Sequence, residues 1–386
     1  MKAVLRRELD RIVRRPLEPL LLVVLPALAL ALTYAIFSAR LPRDLPVAVV
    51  DQDHSRLSRQ LVRMIDATPT IRVSERPESP RAAEELILSG RVYAYVIVPD
   101  GLERGIKRGI AQPVVAYTNA QLLIPASLVR RDLVAATATL SAGIKLRRLR
   151  AAGETAASAA ARFEPVRADI HALFNPQLSY VSYLFTALFP TLLHIFVLLA
   201  AVNSVGSELH EGTAADWLAT ARGSLLRAVV GKLLPSTIAF LVVAGTAMAL
   251  LFGLAGVPLA GSAGLLLLGT LLFVLAYQGV GVLLVAFFAN LRFATSVAAF
   301  LVSPAFAYAG VTFPIMAMPP FARFWGALLP LTHYLRLLID QSMKGAPAAV
   351  SAPSLLALLA FAVVAPLLAW PRLRRVASEP RYWGRQ

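Results

Sequence analysis

Carboxylates next to an apolar stretch are the first place in this chain to look for chemistry. The segment Glu208-Leu-His-Glu211-Gly212-Thr213-Ala-Ala-Asp216-Trp217-Leu218 sets three of them directly after the uncharged run 170–207. Glu208 and Glu211 are three residues apart and share one face of a helix. Gly212 is suited to end that helix, and Thr213 to cap a second short one through Trp217 and Leu218. A short helix turned along the membrane surface and presenting carboxylates is placed to dock a cytoplasmic protein. The plainer reading is a solvated loop that only connects its neighbours.

Three further constellations carry polar chemistry. His194 lies mid-run with Asn203 nine residues on, and an ionisable residue in such a run is a functional candidate. A neutral histidine hydrogen-bonded to a neighbouring helix is the alternative. Tyr277 and Gln278, beside Gly279 and Gly281, suit either close helix packing or a polar pathway wall. His333, Arg336 and Asp340 are spaced for one helical face, as an ion-paired surface or a substrate contact. They sit in a stretch broken by Phe313-Pro314, Met318-Pro319-Pro320 and Leu329-Pro330, with helices expected over 322–329 and 331–342 near the outer surface.

Other chemistries find no residues. There is no cysteine and there are five scattered histidines, which excludes thiol catalysis and disulfides and argues against a metalloenzyme. No Ser/His/Asp set appears beside an apolar run. No Gly-x-x-x-x-Gly-Lys-(Ser/Thr) phosphate loop is present. Gly231-Lys232-Leu233 lacks the earlier glycine and the following hydroxyl, and Lys232 reads as a basic residue flanking a membrane span.

The elements that hold these residues are set by charge distribution. Stretches 19–39, 170–207, 233–291, 293–322 and 345–371 carry no Lys, Arg, Asp or Glu, and the third is divided by Gly253, Gly256, Pro258 and Gly261. About 20 apolar residues cross a bilayer, and a charge at its centre costs about 2.5–3.5 kcal/mol. Six spans follow, near 17–38, 180–203, 233–254, 264–288, 294–314 and 353–370. With 58% hydrophobic residues, 16% charged and a mean hydropathy of +0.67, the fold class is an α-helical polytopic membrane protein.

Orientation follows from short basic flanks. Lys2, Arg6, Arg7, Arg11, Arg14 and Arg15 precede the first span, Arg222, Arg227 and Lys232 lie between spans two and three, and Arg292 between four and five. Arg372, Arg374, Arg375, Arg381 and Arg385 follow the last. Both termini are therefore expected in the cytoplasm. The net charge of +16 reads as membrane-edge arginine attracted to anionic lipid rather than as a nucleic-acid surface. Arg14-Arg15 before an apolar run resembles an export signal. The run is long for one and lacks a clean exit beyond Ser38-Ala39, so an uncleaved helix is expected.

Residues 2–15 read as an amphipathic interfacial helix with Val4, Leu5, Leu9, Ile12 and Val13 on one face. The insert 39–178 alternates strand and helix signals: strands at 46–51, 71–73, 92–98 and 113–117, and helices at 56–67, 80–89, 101–109 and 122–149. It reads as a small α/β domain outside the membrane. Ala151–Ala161 is a linker or a continuing helix. The resulting organisation is an interfacial helix at 1–16, a first span at 17–38, the extracytoplasmic α/β domain at 39–178 and spans two to six over 179–371. A loop at 205–230, a punctuated segment at 313–344 and a cytoplasmic tail at 372–386 complete it.

Three passages then resemble one family. The segment from Glu208 is similar to the Glu-x-x-x-Gly-Thr-x-x-x-Leu signature of ABC-2 type transporter permeases. Val47–Arg59 resembles the start of the external domain in the branch with a large insert after the first span. Gly310–Pro314, Met318–Pro320 and Leu329–Leu335 resemble the family's segment between spans five and six. Departures are Thr220-Ala-Arg where the family carries Thr-Pro, and Ala214-Ala215-Asp216 in place of its second glutamate.

The resemblance implies an exporter permease that pairs with a second permease chain, identical or a paralogue, and with an ATPase subunit. ATP and Mg would be bound by that partner, and this chain would carry no cofactor and no catalytic residue. Glu208, Glu211, Gly212, Thr213 and Asp216 would contact the ATPase. The helix bearing Arg6, Arg7 and Arg11 would connect to it. Phe313, Pro314, His333 and Arg336 would belong to a re-entrant hairpin at the exit, with His194, Tyr277 and Gln278 as pathway candidates. The family's dimers imply an interface through spans one and five. A bacterial inner membrane, membrane lipids and a periplasmic adaptor complete the expected setting, with the exported small molecule or lipid-like compound unspecified. A stand-alone secondary transporter would need more ionisable residues within its spans. A membrane scaffold would not need so many broken helices.

Overall fold

The computed structural model describes residues 1–38, 42–151, 173–176 and 178–384. Ala39, most of the expected Ala151–Ala161 linker and Arg385 lie outside them. The chain divides into two compact units, Met1–Ser38 with Ser179–Gln386, and Ala39–Leu178.

The first unit begins with α1 (Lys2–Arg14) and α2 (Leu20–Phe37). The second holds β1 (Leu45–Asp51), α3 (Arg56–Asp66), β2 (Ile71–Glu75), α4 (Pro80–Leu88), β3 (Ala94–Val98), α5 (Leu102–Lys107), β4 (Val115–Thr118) and α6 (Leu123–Ala151). The sheet order is β2-β1-β3-β4, parallel except for the β3–β4 pair. Alternation in β1 splits the core between two faces. Val47 and Val49 pack with Leu61, Ile65, Leu128 and Val129, and Ala48 and Val50 with Ala83 and Val92. Ser55 caps α3 by accepting the Ser58 amide at 3.0 Å, and Ser79 caps α4 through Ala82.

The first unit resumes with α7 (Val181–His210), α8 (Ala214–Thr220), α9 (Leu225–Leu254), α10 (Ala263–Phe288) and α11 (Leu291–Tyr308), then α12 (Pro320–Ala327), α13 (Pro330–Ile339, continued by one wider turn, Asp340–Lys344) and α14 (Ala348–Ser378). Six of these helices, α2, α7, α9, α10, α11 and α14, are long and apolar enough to cross a membrane. Helix α7 is the hub: 72% of its most apolar window is buried, against 22% in α2, α11 and α14.

Several boundaries differ from expectation. Helix α7 runs seven residues past 203 and takes Glu208 with it, while α9 begins at Leu225 and carries Arg227 and Lys232 inside the helix. Charge in sequence suggested helix ends there. In the fold the charges neutralise one another and both helices continue. The connection expected over 205–230 therefore shrinks to 211–224, with α8 inside it. Helix α14 likewise continues to Ser378, so the first part of the expected tail is helical. Helix α11 stops at Tyr308, short of 314, after a break at Ser303-Pro304. Helix α13 is not a surface piece. Leu331, Tyr334, Leu335, Leu337 and Leu338 are fully buried in the main core.

Two backbone approaches lock this unit. At Gly231 an added Cβ would sit 2.9 Å from the Val4 Cβ, so α1 crosses α9 where no side chain intervenes. At Gly281 it would sit 2.7 Å from the Ala201 Cβ, where α10 meets α7. Gln341 ties the α9–α10 turn to α13: its side-chain oxygen accepts the Ser262 amide at 2.8 Å and its amide donates to Ser351 Oγ at 2.8 Å.

Candidate functional site

A helix of 30 residues at about 1.5 Å per residue is about 45 Å long, more than the roughly 30 Å hydrocarbon layer. The last turns of α7 therefore project, and around them α1, α8 and the start of α9 assemble a polar cluster. Lys232 is 1% exposed, and its Nζ donates to Glu8 Oε2 at 2.8 Å and Glu208 Oε1 at 2.6 Å. The second Glu208 oxygen accepts from Arg7 at 2.9 Å and from the Thr213 hydroxyl at 2.5 Å. Glu8 Oε1 accepts from Arg11 at 2.8 Å and Ser204 at 3.1 Å. Arg11 also donates to Ser207 Oγ at 2.6 Å and lies 3.3 Å from Glu18, which accepts from Asn203 at 3.1 Å.

Three carboxylates, Glu8, Glu18 and Glu208, thus meet three cations, Arg7, Arg11 and Lys232. The cluster is electrically neutral, which allows burial of groups that would each cost several kcal/mol alone. Beside it, Arg15 grips Glu211 through both carboxylate oxygens at 2.6 and 2.8 Å. That guanidinium holds the Glu211 carboxyl below its ordinary range.

The turn after α7 follows from Gly212, whose φ is +70°. The Thr213 amide donates back to Glu208 O at 2.9 Å, and the Gly212 amide to Leu209 O at 3.3 Å, a helix stop that needs a left-handed residue. Thr213 precedes α8, but its hydroxyl serves Glu208 and not the helix amides. Trp217 anchors α8 inward, fully buried, its indole N–H donating to Ala228 O at 3.1 Å. Asp216 faces out.

The expected contact residues therefore separate. Glu211, Gly212 and Asp216 are exposed and Thr213 is half-buried. Glu208 is 3% exposed and consumed internally, so its carboxylate is not presented to a partner. Arg6, Arg7, Arg11, Glu208, Glu211 and Thr213 together line an open groove of about 570 Å³ between α1 and the end of α7. The apolar stripe of α1 is split: Val4 and Glu8 face inward, while Leu9 is 46% and Val13 81% exposed. Lys232, expected as an ordinary flanking lysine, is the centre of the cluster. Glu8, Glu18, Ser204 and Ser207 were not anticipated. Their one sequence signal was glutamate in an otherwise arginine-rich N-terminal helix, with two serines one turn before Glu208 and Glu211.

The remaining candidates are dispersed. His194 is fully buried, 4.9 Å from the Tyr277 ring, with the backbone of Pro190, Thr191 and Val302 beside its imidazole. Tyr277 accepts the Leu331 amide at 3.3 Å. Gln278 accepts from Thr237 at 2.9 Å and donates to Ser236 at 3.1 Å, joining α10 to α9. Both sit in helix packing and not on an open wall. Phe313 and Pro314 are exposed. His333 Nε2 meets Ala327 O at 3.0 Å, while Asp340, 2% exposed, pairs with Lys344 at 2.9 Å and lies 4.0 Å from Arg336.

With this geometry in hand, comparison with known proteins gives one clear result. The family model described as "ABC-2 family transporter protein" matches residues 20–370, nearly the whole chain. No curated protein matches it.

Proposed function

The chain belongs to the ABC-2 family of transporter proteins, and on that premise we propose that it is the permease subunit of an ATP-driven ABC exporter, coupled to a separate ATPase. It is a multi-pass membrane transport component, and permeases of this family generally work with an ATPase partner. The observation that carries the proposal is the neutral cluster binding α1 to the end of α7 and the start of α9. A push on α1 or α8 cannot be absorbed locally, because separating Lys232 from Glu8 or Glu208 strands a buried charge at about 3–5 kcal/mol. Force applied there is passed to the two long helices as a unit.

The exposed lip of this assembly, with Arg6, Arg14, Glu211, Gly212 and Asp216, is the surface offered to the ATPase, which would hold ATP and Mg. Glu208 acts one layer behind it, as a strut. In this reading the membrane is a bacterial inner membrane, with both termini cytoplasmic and the α/β unit outside, an orientation that the arginine-rich flanks support. The sparsely buried α2 and α11 leave apolar faces for a second permease chain, forming a dimeric pathway for efflux of a small molecule or lipid-like compound. A periplasmic adaptor would meet the α/β unit.

Co-purification tests the class. The chain is tagged in its native host, extracted mildly, and its companions are identified by mass spectrometry. A stoichiometric ATPase is expected. Its absence from monodisperse protein would favour a transporter that works without one.

A further inference from the structure

The α/β unit carries a cleft of about 720 Å³ at the carboxyl ends of the parallel strands β1 and β2. That volume lies within the range of about 300–1,000 Å³ of small-molecule sites, and open parallel sheets bind ligands outside the carboxyl ends of their strands. Its lining includes Asp51, His54, Arg59, Arg63, Arg76 and Glu78. Three arginines therefore line one opening, two from α3 and one from the segment after β2.

Two carboxylates, Asp51 and Glu78, face these three cations, which leaves the lining one positive charge in excess. Both Asp51 oxygens are occupied, one by the amides of Asp53 and His54 at 3.2 and 3.0 Å and the other by the Ser58 hydroxyl at 2.8 Å. Arg59 is fixed at the lip by donating to His54 O at 2.6 Å. His54 itself sits at φ +49°, in the left-handed region that few non-glycine residues adopt. Among the described residues Arg63 and Arg76 have no side-chain hydrogen bond or ion pair. Arg91, on the segment entering β3, is by contrast paired with Glu75 at 2.6 Å. Two unpaired forked donors facing one cavity, with a third pinned beside them, suit the planar or tetrahedral oxygens of an anion.

We infer that this cleft is a binding site for a small anionic compound, recognised through a phosphate or carboxylate group by Arg63 and Arg76, with Arg59 at the lip. The site lies within one unit and does not depend on the transport reading.

Equilibrium dialysis of the full-length protein in non-ionic detergent, at constant ionic strength, would test it with radiolabelled inorganic phosphate and, separately, succinate. Saturable uptake of one anion per chain is expected, weakened at least tenfold in the Arg63→Gln/Arg76→Gln double variant. Arg104→Gln, an exposed arginine elsewhere in the unit, should leave it unchanged. Uptake of phosphate alone would assign a phosphate-bearing ligand, and uptake of succinate alone a carboxylate. Uptake of both would support an anion site that accepts either group. No saturable uptake of either anion, or equal loss in Arg104→Gln, would overturn the inference. Both arginines are exposed, so the variants should fold, and an unchanged melting midpoint would verify this.

Discussion

At the scale of single residues, Lys232 carries the most consequence. Replacing it by Met leaves Glu8 and Glu208 buried and facing one another, and should destabilise the protein by about 3–5 kcal/mol. Thermal melting of the detergent-solubilised chain would show this, with partial recovery in Lys232→Met/Glu208→Gln. A melting midpoint within a degree of wild type would refute the strut role. Glu211 behaves differently because its pair with Arg15 is partly open to solvent and worth only about 0.2–1 kcal/mol. Its folded-state pKa is depressed, so the contribution is present above the ordinary carboxylate range and is lost as pH falls through the lowered value. Wild type and Glu211→Gln should differ slightly in midpoint near neutrality and converge in acid. Divergence in acid would contradict the pairing. His194 is fully buried with only backbone groups of Pro190, Thr191 and Val302 in reach of its ring, so His194→Leu should be neutral or stabilising by about 1 kcal/mol. A clear loss of stability would point to a bond the histidine needs.

At the scale of elements, Gly231 sets how closely α1 approaches α9. Gly231→Val should lift α1 from its seat and expose amides of residues 4–11 to hydrogen exchange, while leaving the α/β unit unchanged. Unaltered protection of α1 would show that the crossing tolerates a side chain. These elements were also the most legible part of the sequence. The strand expected at 46–51, the helix at 56–67 and the turn at Gly101 follow from a short apolar run, helical spacing and glycine placement. All act within a few residues of chain. What could not be read was long-range. Glu8 and Lys232 are 224 positions apart, and each alone signals a polar surface or a helix end. Their mutual neutralisation is a property of the folded packing, and it moved two helix boundaries and hid Glu208. Buried Gln278 and Tyr277 read equally well as a pathway wall, because periodicity does not say which neighbour fills the opposite side.

At the scale of the whole molecule, α1 and the turn from Glu211 to Asp216 would act as one docking surface, backed by a neutral strut into α7 and α9. The absence of cysteine makes a site-directed test direct. Single cysteines at exposed Asp216 and Arg14, carrying a short photo-crosslinker, would be compared with Arg336→Cys, an exposed position on α13 away from the proposed docking surface. In native membranes, ATPase adducts are expected from positions 216 and 14 and none from 336. No adduct at 216 or 14 from stably inserted protein, or equal labelling from 336, would contradict the account.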